Sequence, residues 1–186
     1  MDSSLNVVLI VVDTLRADHL GCYGYGRNTS PNIDAFSRDA VLCEQHISSA
    51  IPTHPAFATL GSGQHSITHR IVAHGGKIPL RTKVPWLPAV LQKAGYTTCA
   101  IDNLAPWHHG FGRGYEYYIN PASRRPLGIN CDNRDINNRA IPWLEQNTEE
   151  PFFLFIHYWD PHTPYIPPRA YRRLFYDRDR DSCDPN

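Results

Sequence analysis

The segment Asn6-Val-Val-Leu-Ile-Val-Val-Asp13 constrains this chain most. Six consecutive apolar residues, four of them valine, end in a carboxylate. The run is short and β-branched, which selects a strand over a core helix. It lacks apolar/polar alternation, so it is expected to be an interior strand of a parallel sheet with both faces covered by helices. In such sheets ligands bind beyond the carboxyl ends of the strands, where Asp13 falls.

Two further segments read the same way: Tyr96–Ile101, ending at Asp102-Asn103, and Phe152–Tyr158, running into Trp159-Asp-Pro-His-Thr-Pro-Tyr165. Between the strands lie helical patterns. One is expected over Ile33–Val41 after the start signal Thr29-Ser-Pro-Asn-Ile-Asp34. Another begins at Thr53, with Pro55 in its first turn and Gly61 or Gly63 as its stop. Pro85–Ala94 should turn Leu87, Val90, Leu91 and Ala94 inward. Asp135–Gln146 should do the same with Ile136, Ala140, Ile141 and Leu144. Cys43–Ser48 reads as a short strand or extended segment, Arg169–Tyr176 as a last helix, and Asp177–Asn186 as a polar end. The order β, α, α, α, β, α, β gives the fold class α/β: a mostly parallel sheet with helices on both faces.

With 186 residues the chain is long enough for one domain with a real core. Lys+Arg and Asp+Glu are both 18, which argues against a broad nucleic-acid footprint or an electrostatic membrane anchor. No segment approaches the roughly 18 apolar residues of a membrane span. Met1-Asp2-Ser3-Ser4 is not a basic signal-peptide start, so a cytoplasmic location is expected. The five cysteines are scattered without a CxxC, which fits reduced thiols better than disulfides or a zinc site. Ten histidines and sixteen prolines point to ordered polar loops, where functional residues concentrate.

Three strand ends thus bring Asp13, Asp102-Asn103 and His157–His162 to one sheet edge. Thr53 adds a hydroxyl at a helix N-terminus, where the helix dipole and free N–H groups favour negative charge. A hydroxyl is a weak nucleophile near neutral pH, and a divalent cation is one means of activating it. Asp13 is a suitable hard oxygen ligand for such a cation. The residues alone therefore suggest metal-assisted transfer or hydrolysis of an anionic ester. The competing reading makes Thr53 a helix cap and Asp13 a strand end. Arg16 and Asp18 could pair to hold Asp13, or form a solvated surface pair.

Several blocks together resemble the sulfatase family of the alkaline phosphatase superfamily. Asn6–Gly24 is similar to the family's opening. Thr29-Ser-Pro-Asn-Ile-Asp34 resembles its next block. Thr53-His-Pro-Ala-Phe followed by Leu60-Gly-Ser-Gly63 resembles the nucleophile motif Cys/Ser-x-Pro-Ser-Arg with Leu-Thr-Gly. Gly95–Ile101 and Phe152–Pro164 are similar to two more. The resemblance implies an alkaline phosphatase/sulfatase-like fold and a hydrolase of sulfate or phosphate esters. It implies Asp13 as a metal ligand for Ca²⁺, Mg²⁺ or Mn²⁺, Thr53 as the nucleophile, and His162 as the residue at the ester and its leaving group. The lysine and histidine that the family places after the second strand align with Asn103 and Ala105, so Asn103, with His108 or His109 as substitute, is the substrate-binding expectation. His157 is expected to support the strand end.

The departures also carry meaning. Thr53 cannot be oxidised to the formylglycine aldehyde that sulfatases form from Cys or Ser, so none is expected. Phe57 replaces the motif's arginine, and Thr14 replaces the second N-terminal aspartate. The later Asp-His metal pair and the C-terminal subdomain of the family are not found in residues 1–186, which read as the N-terminal, incomplete part of one catalytic domain. A threonine nucleophile keeps phosphodiester chemistry as plausible as sulfate-ester chemistry. The expected partners are a small-molecule or glycan ester and, for the short chain, the remaining segment as a second chain or self-association. The alternative is a catalytically incomplete homologue that binds an anionic ligand or a partner chain.

Overall fold

The computed structural model describes residues 5–75, 78–108, 110–121, 132–147 and 149–175. In chain order the elements are strand β1 (Val7–Val12), helices α1 (Pro31–Phe36), α2 (Thr53–Ser62), α3 (Ser66–His69) and α4 (Leu87–Lys93), strands β2 (Thr97–Ile101) and β3 (Tyr117–Ile119), helix α5 (Asn133–Gln146) and strand β4 (Phe152–Tyr158). The sheet order is β1-β4-β2-β3 and every pairing is parallel. Val12 pairs with Tyr158 and Ile101 with Ile156, so the ends of β1, β2 and β4 share one edge of the sheet.

β4 is the interior strand. Successive side chains of a strand point to opposite faces. Phe153 and Phe155 enter one core with Phe57, Trp86 and Ala100, under α2 and α4. Phe152, Leu154 and Ile156 enter the other with Ile136, Ala140 and Trp143 of α5. Each such Phe, Leu or Ile contributes about 1.5–3 kcal/mol through burial. Helices therefore cover both faces, as the apolar runs imply.

β1 departs from expectation. It is an edge strand among the described residues, not an interior one. Leu9 and Val11 pack on the α2 side, whereas Val8 and Ile10 on the other face are 45% and 56% exposed. A continuous apolar run states that a strand suits two-sided cover; it does not state that residues within reach supply it.

Other differences are local. The helix expected over Ile33–Val41 is α1 followed by a 3-10 turn at Ser37–Asp39. Cys43–Ser48 forms no strand, and the described part of Arg169–Tyr176, through 175, is turn. In α4 the buried side carries Pro88, with Ala89 and Leu91 packed against the core, while Leu87 and Val90 face out. The path there is set by Gly114, where a Cβ would lie 2.3 Å from the Ala89 nitrogen, so the loop and α4 touch backbone to backbone. In α5 Trp143 is buried and Ile141 is exposed. His109 and Asp177–Asn186 lie outside the described residues. No helix among the described residues is long and apolar enough to cross a membrane.

Candidate active site

Asp13 directly follows β1, and its backbone N–H donates to the Tyr158 carbonyl at 2.9 Å, so the β1–β4 ladder holds it. Thr14 then takes φ +58°, a left-handed conformation that a β-branched residue rarely adopts, and turns the chain away from the edge. Strain of this kind collects at functional sites. The Asp13 side chain is 12% exposed. It does not meet Arg16: that guanidinium pairs with Asp18 at 2.5 Å, both side chains lying in solvent. The surface-pair reading of Arg16 and Asp18 is the one the structure shows.

Thr53 opens α2, as its flanking prolines and Gly63 imply. Its hydroxyl caps no helical N–H. It donates instead to Asp13 Oδ2 at 3.0 Å, across forty residues of sequence. The helix therefore presents a buried hydroxyl, its own unpaired N-terminal N–H groups and an adjacent carboxylate at one point. Phe57, one turn on, is buried against Phe155, with its ring 4.6 Å from that of His157. A hydrocarbon ring thus occupies the motif position of the missing arginine.

A second layer lies beneath this pair. His157, in β4, is 1% exposed. Its Nδ1 lies 2.7 Å from Asp102 Oδ1 at the end of β2. Asp102 Oδ2 accepts from the Tyr118 hydroxyl of β3 and from the Leu104 N–H at 2.9 Å. His157 Nε2 faces Asp13 Oδ2 at 3.9 Å and is buried without a hydrogen-bond partner. Burial first, and then the Asp102 charge, push the Tyr118 hydroxyl far above its ordinary range, so it stays a donor. Sequence reading placed Asp102 and His157 at strand ends but did not join them. It missed Tyr118 because β3 is only three residues long. The aromatic, β-branched run Tyr117-Tyr-Ile119 was the available signal.

His162 sits in the loop after β4. Its Nδ1 is 2.7 Å from the Thr163 carbonyl, and its ring lies 5.5 Å from Trp159, which in turn lies 4.4 Å from His157. Asp160 accepts from the Asn133 N–H at 3.1 Å, tying this loop to the start of α5. Beside it opens a cleft of about 440 Å³, lined by His162, Trp159, Arg134, Arg169 and Arg172 among others. Three guanidinium groups and an imidazole share this lining with the carboxylates of Asp132 and Asp160, so the cleft is polar and mixed in charge. Arg134 is held by Asp132 at 2.8 Å.

The substrate-binding expectations fall deeper. Asn103 is 2% exposed next to Asp102. His108 is 4% exposed, its ring stacked on Phe111 and 4.7 Å from that of His54. The structure brings Thr53, Asp13 and His157 together; His162 stands one aromatic ring further out, and His108 in a separate stack with His54. Among the described residues no group of three or more His, Cys, Asp or Glu side chains converges as a metal site. The donors that fit a cation are Asp13, with the Thr53 hydroxyl and the orphaned His157 Nε2 beside it.

Comparison with known proteins gives one consistent answer. The family described as Sulfatase matches residues 5–183. The multifunctional alkaline phosphatase superfamily protein PehA of Trinickia caryophylli is 26% identical over 234 residues, covering 94% of this chain and 45% of that protein. Iduronate 2-sulfatase of Mus musculus is 25% identical over 217 residues, covering 92% and 38%. The crystal structure of the phosphonate monoester hydrolase of Agrobacterium radiobacter superposes with a TM-score of 0.76 at 22% identity, over 93% of this chain and 44% of that one. The chain thus spans less than half the length of each of these three proteins.

Proposed function

The chain belongs to the sulfatase family, and from that premise we propose that it carries the nucleophile half of a hydrolase of sulfate or phosphate esters, with Thr53 as the attacking group. The observation that carries the reading is the Thr53 Oγ1–Asp13 Oδ2 hydrogen bond of 3.0 Å at the mouth of α2. It fixes the hydroxyl at the sheet edge where three strand ends converge, and a mere helix cap would not need it. In the proposed reaction Thr53 Oγ forms a bond to sulfur or phosphorus and the ester bond to the leaving oxygen breaks. The Thr53 proton passes towards Asp13, and His162 supplies a proton to the leaving oxygen. Water then cleaves the threonine ester and regenerates the hydroxyl. The N-terminal N–H groups of α2 hold the developing negative charge. A divalent cation at Asp13 would supply further charge neutralisation. Asn103 and His108 would act on the substrate only through the loop they pack, since both are buried. The polar cleft beside His162 would receive the ester's alcohol.

Thr53→Ala in the complete protein should abolish turnover of a panel of aryl sulfates, phosphomonoesters and phosphodiesters. Stability should fall by only ~1 kcal/mol, the net value of one hydrogen bond. Turnover that persists in Thr53→Ala contradicts the assignment. One observation favours a second reading, an ester-binding homologue without turnover: Phe57 removes the arginine beside the nucleophile. Saturable binding of the same esters by the unmodified protein, with no product, would select that reading.

A further inference from the structure

We propose that the cleft along α4 is a second binding site, separate from Thr53, for a small molecule that carries a phosphate group. Its volume is about 400 Å³, within the roughly 300–1,000 Å³ usual for small-molecule sites. Asp13, Thr53, His157 and His162 take no part in its lining. The cleft lies beside Gly114, whose carbonyl accepts from the Thr98 hydroxyl at 2.8 Å near the start of β2, away from the strand ends.

The lining is cationic. Lys83, Lys93 and Arg113 contribute to it, and among the described residues no Asp or Glu does. Arg113 Nη1 donates to the Arg81 and Thr82 carbonyls at 3.2 and 3.0 Å, and Nη2 donates to the Val84 carbonyl at 2.6 Å. These bonds fix the guanidinium on the loop ahead of α4 and leave at least two of its five N–H donors free. Carbonyl dipoles orient the group without cancelling its charge. Arg113 forms no ion pair among the described residues, and burial pulls its pKa below the ordinary value. Trp86 also lines the cleft. It is 5% exposed and its buried Nε1–H has no hydrogen-bond partner, a costly state for a donor. The ring is held in place against Gly61 of α2, where a Cβ would lie 2.5 Å from it.

Free donors and positive charge, with no carboxylate among them, select an anion. A guanidinium fork meets phosphate oxygens in pairs, and lysines act on them as point charges. Three positive charges attract a dianionic phosphate more strongly than a singly charged carboxylate or sulfate. A free phosphate would fill only part of the cleft. Ala89 and Val90 of α4 give it an apolar wall for the organic part of a larger ligand.

The test follows the ¹³Cζ resonance of Arg113 in the complete protein. Phenylphosphonate, which has no ester bond to hydrolyse, is titrated as the dianion. Benzenesulfonate is the monoanion of the same shape, and inorganic phosphate the free anion. Phenylphosphonate should shift the resonance saturably, and more weakly as salt rises. It should bind about fivefold more tightly than benzenesulfonate, the effect of one further charge at a partly exposed site. Lys83→Gln combined with Lys93→Gln, both at exposed positions, should weaken it by about fivefold or more while hydrolysis of the ester panel is unchanged. No saturable shift, equal affinity for benzenesulfonate, or an affinity unchanged in the double variant overturns the proposal. Inorganic phosphate binding as tightly as phenylphosphonate overturns the small-molecule ligand and leaves a site for the free anion. Hydrolysis lost in the folded double variant overturns the separation from Thr53.

Discussion

His54 follows Thr53 in sequence and packs among other rings. Its ring lies 4.5 Å from that of His74, 4.7 Å from that of His108 and 6.1 Å from that of Phe111, and its Nδ1 accepts from the Gly75 N–H at 3.4 Å. Burial first, then repulsion from His74 and His108, pushes its pKa down from 6.5 to about 4. A histidine whose folded value lies below its unfolded value favours the folded state when neutral. That stability is complete above about pH 6.5 and is lost as the pH falls towards about 4. Thermal melts of the unmodified protein should therefore drop through this window, and those of His54→Gln, which keeps an acceptor but no titration, should drop less. Parallel pH curves for the two would contradict the assignment. At this scale the sequence was readable where a residue's role is local. Thr53 at a helix start and Asp13 at a strand end were both legible from flanking prolines, glycines and the valine run. The Tyr118–Asp102–His157 chain was not, because its members are 16 and 55 residues apart and meet only through strand order. Phe57 was legible as a departure from the nucleophile motif; that its ring fills the space against His157 needed the packing.

β4 and β1 illustrate the limit for whole elements. Both are continuous apolar runs, and periodicity treats them alike. Only the order β1-β4-β2-β3 separates them, and order depends on which crossovers the helices make. β4 is buried on both faces, whereas β1 shows Val8 and Ile10 on an open face at the sheet edge. An exposed apolar edge strand is a template for pairing or association. Residues 1–186 expressed alone should therefore associate, and Ile10→Glu should shift the population towards monomer with helix content unchanged. Size-exclusion chromatography with light scattering reads this directly; a monodisperse monomer of the unmodified chain would contradict it. The helices were legible from caps and glycine stops, while the inward face of α4 was not. Gly114 and Trp86 fix how that helix sits, and both contacts are made by residues outside it.

For the whole molecule, the parallel sheet does the functional assembly. Three strands of different length and distance in sequence end at one edge, and α2 delivers Thr53 to that edge against Asp13. The sulfatase family match covers residues 5–183 and so includes all three strand ends and α2. The account therefore turns on whether Thr53 becomes covalently modified. The direct measurement is to mix the complete protein with an aryl sulfate or a phosphodiester, quench in acid within the first turnovers, and map the adduct by peptide mass spectrometry. The account predicts a sulfo- or phospho-group on Thr53, absent in Thr53→Ala. Turnover with no adduct on Thr53, or with the adduct on another residue, would contradict it.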